Sequence, residues 1–175
     1  MATTYSLISS NVLSSSAASV TFSSIPATYT DLVIRASVRE NSGGQYPNAL
    51  NVTFNGSSAS NYSITQLSAD TSTPGSNRYS NQSAVYINGS VNGSTSTSNT
   101  FSNVEIYIPS YAATQNKAFS ASFVTEANTA SNLLWTVGVA AGLRSVTAAI
   151  TSVTLDCGAS LGVGTSFYLY GISNA

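Results

Sequence analysis

The chain predicts an all-β fold, a single antiparallel β-sandwich, and three observations predict it. About ten short segments alternate apolar and polar residues, with turn signals between them. No segment carries an apolar stripe at helical spacing. The clearest segment, LVIRASVR at 32–39, places Leu32, Ile34, Ala36 and Val38 on one side and Arg35, Ser37 and Arg39 on the other. Side chains of a strand point alternately to its two faces, so this period of two describes one buried and one wet face. A helix would scatter the same residues around its circumference. The 175 residues suit one domain, 1–175, and no linker or fixed-period repeat divides them.

The other elements follow in order. Residues 3–9 alternate weakly, and 11–16 form a polar corner. Val20 and Phe22 mark a short strand, which Pro26 ends because it cannot donate to a ladder. After the 32–39 strand, NSGGQYPN at 41–48 is a turn cluster. Leu50, Val52 and Phe54 form a half-buried strand, and Asn55-Gly56 is a tight-turn signal. Tyr62 and Ile64 share a face in the next strand. Residues 69–82, ADTSTPGSNRYSNQ, read as an irregular loop, as do 89–99, with a short strand at 84–88 between them. Val104, Ile106 and Ile108 face inward from a strand ended by Pro109. Phe119, Ala121 and Phe123 form another inner face. Trp135, Val137 and Val139 are in phase within 133–141, and the small residues 140–143 suit close approach of a second backbone. Strands at 150–157 and 166–172 complete the set.

Composition narrows function. Hydrophobic residues make up 42%, enough for a core, but charged residues make up only 6%, so Ser, Thr, Asn and Gln must build the polar surface. Net charge is −1 with no basic cluster, which argues against nucleic acid and against an anionic membrane surface. So few charges leave a free monomer poorly protected against association. Oligomerisation, incorporation into a larger particle, or adaptation to a particular medium would each explain this. The first twenty residues lack Lys, Arg and a continuous apolar run, so no signal peptide is expected and synthesis should be cytoplasmic. The sequons at Asn51, Asn55, Asn61, Asn81, Asn88 and Asn92 are then chance products of composition.

Catalytic equipment is sparse, and no enzyme, cofactor or metal is expected. There is no histidine, the usual base and metal ligand. The lone Cys157 lies in an apolar run and reads as a small buried hydrophobe. Glu105 and Glu126 are the best carboxylate pair. A hairpin centred near 113 sets Glu105 opposite Ala121, which leaves Glu126 five residues on, roughly 16 Å away at ~3.3 Å per residue. Glycosidase carboxylates lie about 5–9.5 Å apart. Asp70 is the one loop acid worth following for calcium. Tyr46, Tyr79 and Tyr111, with Arg78, lie in or beside loops. Such rings either stack on sugars and anchor interfaces or cap the ends of the core.

The opening YSLISSNVLSSSAASVTFSSIPATYTDLVIRASVR, NVTFNG, NYSITQL, FSNVEIYIPSY and the closing TSFYLYGIS together resemble a family of small virion proteins of tailed bacteriophages. The likeness runs along nearly the whole chain, through framework strands and not through a catalytic signature. It implies a jelly-roll-like sandwich that forms a homotrimer on the virion. The implied role is capsid decoration or cement, bound to the major capsid protein or another virion protein. The alternative is a receptor- or glycan-binding head of a tail fibre, spike or head appendage, with host surface glycan as partner.

Overall fold

The computed structural model describes residues 4–41, 48–70, 73–126 and 136–173. These form twelve strands in two antiparallel sheets packed face to face, a jelly-roll-like sandwich. The strands are β1 (Tyr5–Val12), β2 (Ala17–Phe22), β3 (Asp31–Val38), β4 (Asn48–Phe54), β5 (Tyr62–Asp70) and β6 (Thr73–Gln82). They continue with β7 (Val85–Val91), β8 (Ser102–Ile108), β9 (Lys117–Thr125), β10 (Thr136–Arg144), β11 (Val153–Leu161) and β12 (Ser166–Ile172). The large sheet has the order β1-β12-β3-β8-β9-β10-β5-β6, and the small one β2-β11-β4-β7. The chain therefore crosses repeatedly between layers, and β1 lies beside β12.

The inner faces follow the period-two reading. Leu32, Ile34, Ala36 and Val38 of β3 oppose Ile108, Ile106, Val104 and Ser102 of β8, and all are buried. Leu50, Val52 and Phe54 of β4, with Val153 and Leu155 of β11, supply the facing layer. Full burial of each such side chain contributes about 1.5–3 kcal/mol of transfer free energy. Val33 departs from the expected wet face. It is buried on the outer side of β3, between its cross-strand neighbours Tyr170 and Tyr107.

Residues 73–82 are not the expected loop. They form β6, which pairs along β5 from Asp70↔Thr73 to Tyr62↔Gln82 with one register shift. The small sheet ends at β7, which lies over β8, β9, β10 and β5, so β6 overhangs it. Thr73 to Asn81 are all exposed. A strand wet on both faces has no apolar alternation, so the pattern that reveals strands was absent here. Similarly, β7 runs on to Val91, past the expected end at residue 88.

Two side chains close the seams between layers. The Gln66 side chain, buried on β5, donates from Nε2 to the Asn88 carbonyl at 2.9 Å and accepts the Asn88 N–H at 3.1 Å. One amide thus satisfies both backbone groups of Asn88 on the free edge of β7. Arg39 donates to four carbonyls of the 92–100 turn: Ser94 and Ser96 from Nη2 at 2.9 and 2.8 Å, Thr97 and Thr100 from Nη1 at 3.0 Å each. The Ser- and Thr-rich segment is held in place by one guanidinium.

The β9–β10 pairing has the least expected packing. Phe119 lies opposite Gly142, and Phe123 opposite Gly138. A Cβ at either glycine would fall into the phenyl ring. The rings therefore lie across the inner side of β10, whose inward positions are Thr136, Gly138, Ala140, Gly142 and Arg144. An aromatic side chain covering a cross-strand glycine is a known device for stabilising sheets.

Substitution of Gly142 by Ala should displace the Phe119 ring and cost about 1–3 kcal/mol as overpacking. Gly75→Ala, where a Cβ meets nothing, should leave the denaturant midpoint unchanged. Equal midpoints for the two variants would show that the ring does not need the glycine. Gln66→Leu should cost about 1–3 kcal/mol for the two orphaned groups of Asn88, measured by the same denaturation.

Candidate interaction face

The outer face of the large sheet is covered by no other described element, and its two halves differ. Strand register brings Tyr107, Ser120, Ala141, Thr65 and Arg78 into one row across β8, β9, β10, β5 and β6. The next row is Glu105, Ser122, Val139, Leu67 and Ser76, and the one after it Asn103, Val124, Val137, Ala69 and Pro74. Every outward residue of β10 is apolar: Val137, Val139, Ala141 and Leu143. Leu67 is 59% exposed, Val137 58%, Val139 54% and Val124 45%, which makes an apolar strip three strands wide. Two shallow grooves, each of about 340 Å³, flank the β10 ridge. One is lined by Leu67, Ala69 and Pro74, the other by Val124, Ser122 and Asn103.

The strip follows from the packing beneath it. Phe119 and Phe123 already fill the space under β10 at Gly142 and Gly138, so Val137 and Val139 have no inward place there. A contiguous outward apolar patch on a soluble surface marks a contact site more often than scattered exposed residues do.

The β3–β8 half is polar and aromatic. Arg35 Nε donates to Glu105 Oε2 at 2.8 Å, and the guanidinium carbon lies 5.9 Å from the Tyr5 ring centroid. Tyr5 meets Tyr170 edge to face at 6.3 Å. Tyr107 donates to Asp31 Oδ2 at 2.8 Å, and this bond with the carboxylate raises the phenol above its usual range. The ion pair is half exposed, so screening by solvent keeps its contribution small.

The candidate contact residues do not form one site. Tyr46 lies outside the described residues. Arg78 and Tyr79 are exposed on β6, with Tyr79 38% accessible. Arg78 is on the outer side by register with Thr65, and Tyr79 is on the inner side opposite Ile64. Tyr111 is fully buried, and its hydroxyl donates to the Pro26 carbonyl while its own carbonyl accepts the Ile150 N–H at 3.0 Å. As a partner or glycan contact Tyr111 is therefore overturned. It caps the end of the core, because a ring beside an apolar corner gains more from burial than from solvent.

Glu105 lies opposite Ser122, one residue from its expected partner. Glu126 is four residues beyond Ser122, roughly 13 Å at ~3.3 Å per residue, still outside glycosidase spacing. The side chain of Asp70 lies outside the described residues. Among the described residues no three His, Cys, Asp or Glu side chains gather as a metal site, and no helix is long and apolar enough to cross a membrane. Cys157 is buried and free, and burial lifts its thiol above the ordinary range.

Buried charges are structural. Lys117 donates to the carbonyls of Ala113, Gln115 and Thr147, and burial pushes its ammonium below the usual range, with the Arg144 charge adding to this. Glu40 is buried, accepts from Asn48 Nδ2, and leaves Oε1 without a hydrogen bond. Compared with protein-family models, with characterised proteins and with solved structures, the chain matches none.

Burial raises the Glu40 carboxyl above its ordinary value of 4.5. A carboxyl raised on folding favours the fold in its protonated form. Its stabilising contribution is full below the unfolded value and is lost as pH climbs through the raised one. Glu40→Gln should therefore raise Tm near pH 7 and flatten the fall in Tm above the ordinary carboxyl range. A lower Tm for the variant near neutrality would show that the fold relies on the ionised carboxylate.

Proposed function

We propose that the protein is a structural subunit of a tailed-bacteriophage particle, a homotrimeric decoration or cement protein that stabilises the head. The observation that carries this reading is the outward apolar strip of Leu67, Val124, Val137 and Val139 on a chain with very few charges. A surface of this kind suits a protein that works in contact with other protein surfaces, its own copies and the major capsid protein. The framework-strand resemblance supplies the particle, and low charge fits a chain that spends its working life packed against neighbours. Three linked copies on a symmetric site would gain avidity from individually modest contacts. Assembly in the host cytoplasm followed by release on lysis would be the route of such a protein into the virion.

A second reading is a receptor- or glycan-binding head of a tail fibre, spike or head appendage. The observation favouring it is β6, which overhangs the small sheet and presents Tyr79 and Arg78 to solvent. Exposed aromatic rings on a projecting hairpin can stack on sugars.

Particles assembled without this chain should lose infectivity faster on heating or osmotic shock than complete particles, and added purified protein should restore resistance. Unchanged resistance with lost host adsorption would favour the appendage reading, and Tyr79→Ala would then reduce adsorption.

A further inference from the structure

The outward strip of the large sheet is self-complementary under one twofold rotation, and that property names its occupant. We propose that a second copy of this chain covers the strip, the two large sheets stacking outer face to outer face about a twofold axis parallel to β10. The inference specifies one of the contacts between copies invoked above, and it rests on that reading only in taking the strip to meet protein. A threefold association would use a further surface.

A twofold axis between two stacked sheets can run along the strands or across them, and strand order separates the two cases. With the axis along β10, β10 meets β10 of the second copy, β9 meets β5, and β8 meets β6. Residues of one row stay level. Val137 and Val139 then oppose their own counterparts, Val124 opposes Ala69, and Ser120 opposes Thr65, one hydroxyl against another. Leu67, the most exposed apolar side chain of the strip, stands over a shallow groove of about 200 Å³ lined by Glu105, Tyr107, Ser120, Ser122 and Val139. Five strands at ~4.8 Å and four outward rows at ~6.6 Å, the fourth being that of Leu143, outline about 600 Å² per copy. The pair would cover ~1,200 Å², the lower end of the size of a specific interface.

Charge on the two flanks favours the axis along β10. Arg78 lies on β6, beyond one side of the strip, and Glu105 on β8, beyond the other. This axis brings β6 of each copy over β8 of the other, so the two charges meet twice. An axis across the strands would set β6 over β6 and β8 over β8, and Arg78 and Glu105 would stay apart. By register Arg78 stands level with Tyr107, one outward position from Glu105, a separation of roughly 6.6 Å along the strand that a side chain spans. The ion pair with Arg35 uses Glu105 Oε2, so the carboxylate can accept a second cation through its other oxygen. Arg78 forms no ion pair among the described residues. Because β6 ends its sheet, Arg35 on β3 lies just past the covered strands, and its pair with Glu105 stays at the wet rim without the desolvation cost of full burial.

The test is the solution mass of the full chain by native mass spectrometry and light scattering. The wild type should contain an even number of copies: two, or six where the threefold association is also present. Val139→Asp sets two carboxylates against each other at the axis and should halve that mass with an unchanged circular dichroism spectrum. Val163→Asp, an exposed valine outside the stacked strands, should keep it. Val139→Cys meets its own counterpart at the axis and should cross-link two copies on oxidation, seen on a non-reducing gel, whereas the buried Cys157 leaves the wild type uncross-linked. A wild type of one or three copies overturns the inference, as does a full mass retained in Val139→Asp or a Val139→Cys chain that stays single on oxidation. Failure of the particle reading appears separately, as particles whose heat resistance does not depend on the chain although the paired mass and its loss in Val139→Asp hold.

Discussion

Two phenyl rings decide which way β10 faces, and with it which side chains the large sheet presents to solvent. Phe119 and Phe123 lie across Gly142 and Gly138, so the inner side of β10 has no room for larger side chains between those two glycines. Its valines and Leu143 must then face out. Sheets packed at native density cannot accommodate both sets of residues on one side. The outward strip is therefore tied to the core: shrinking it by placing the valines inward would require removing two buried phenyl groups. On the reading proposed above, this apolar surface, on a chain with so few charges, is where another protein would sit.

The few charges are allocated in a way that supports the same view. Of the five cations, Arg39 and Lys117 are used on backbone carbonyls, each holding a loop. Arg35 pairs with Glu105 on the outer face. Arg144 is buried beside Lys117, with Nε and Nη1 unpaired. Arg78 remains, exposed on the overhanging β6. Cations that organise loops must bind several carbonyls at once to offset their desolvation, as Arg39 does with four. Little charge is left to keep subunits apart, which suits assembly.

Much of the fold was legible because burial leaves a period of two. β3, β4, β8 and β9 announce themselves through alternating residues, and the turns at Pro26, Asn55-Gly56 and Pro109 separate them. β6 was not legible, since a strand wet on both faces carries no apolar period. Sequence alone does not decide between contact and cap for Tyr111, because loop position and polar neighbours say little about burial when the loop folds under the end of the sandwich. The face itself was half legible. Val137 and Val139 stood in phase, but their direction depends on rings contributed by a different strand, and no local pattern reveals that. The glycines at 138 and 142, alternating with the valines, were the one available signal.

The most direct test of the account is an electron cryo-microscopy map of intact particles containing this chain. On the reading proposed above, density for this chain lies at symmetric positions on the head, with the outer face of its large sheet at β10 covered by protein. Density at the tail or a single vertex, or copies whose β10 face lies open to solvent, would contradict it.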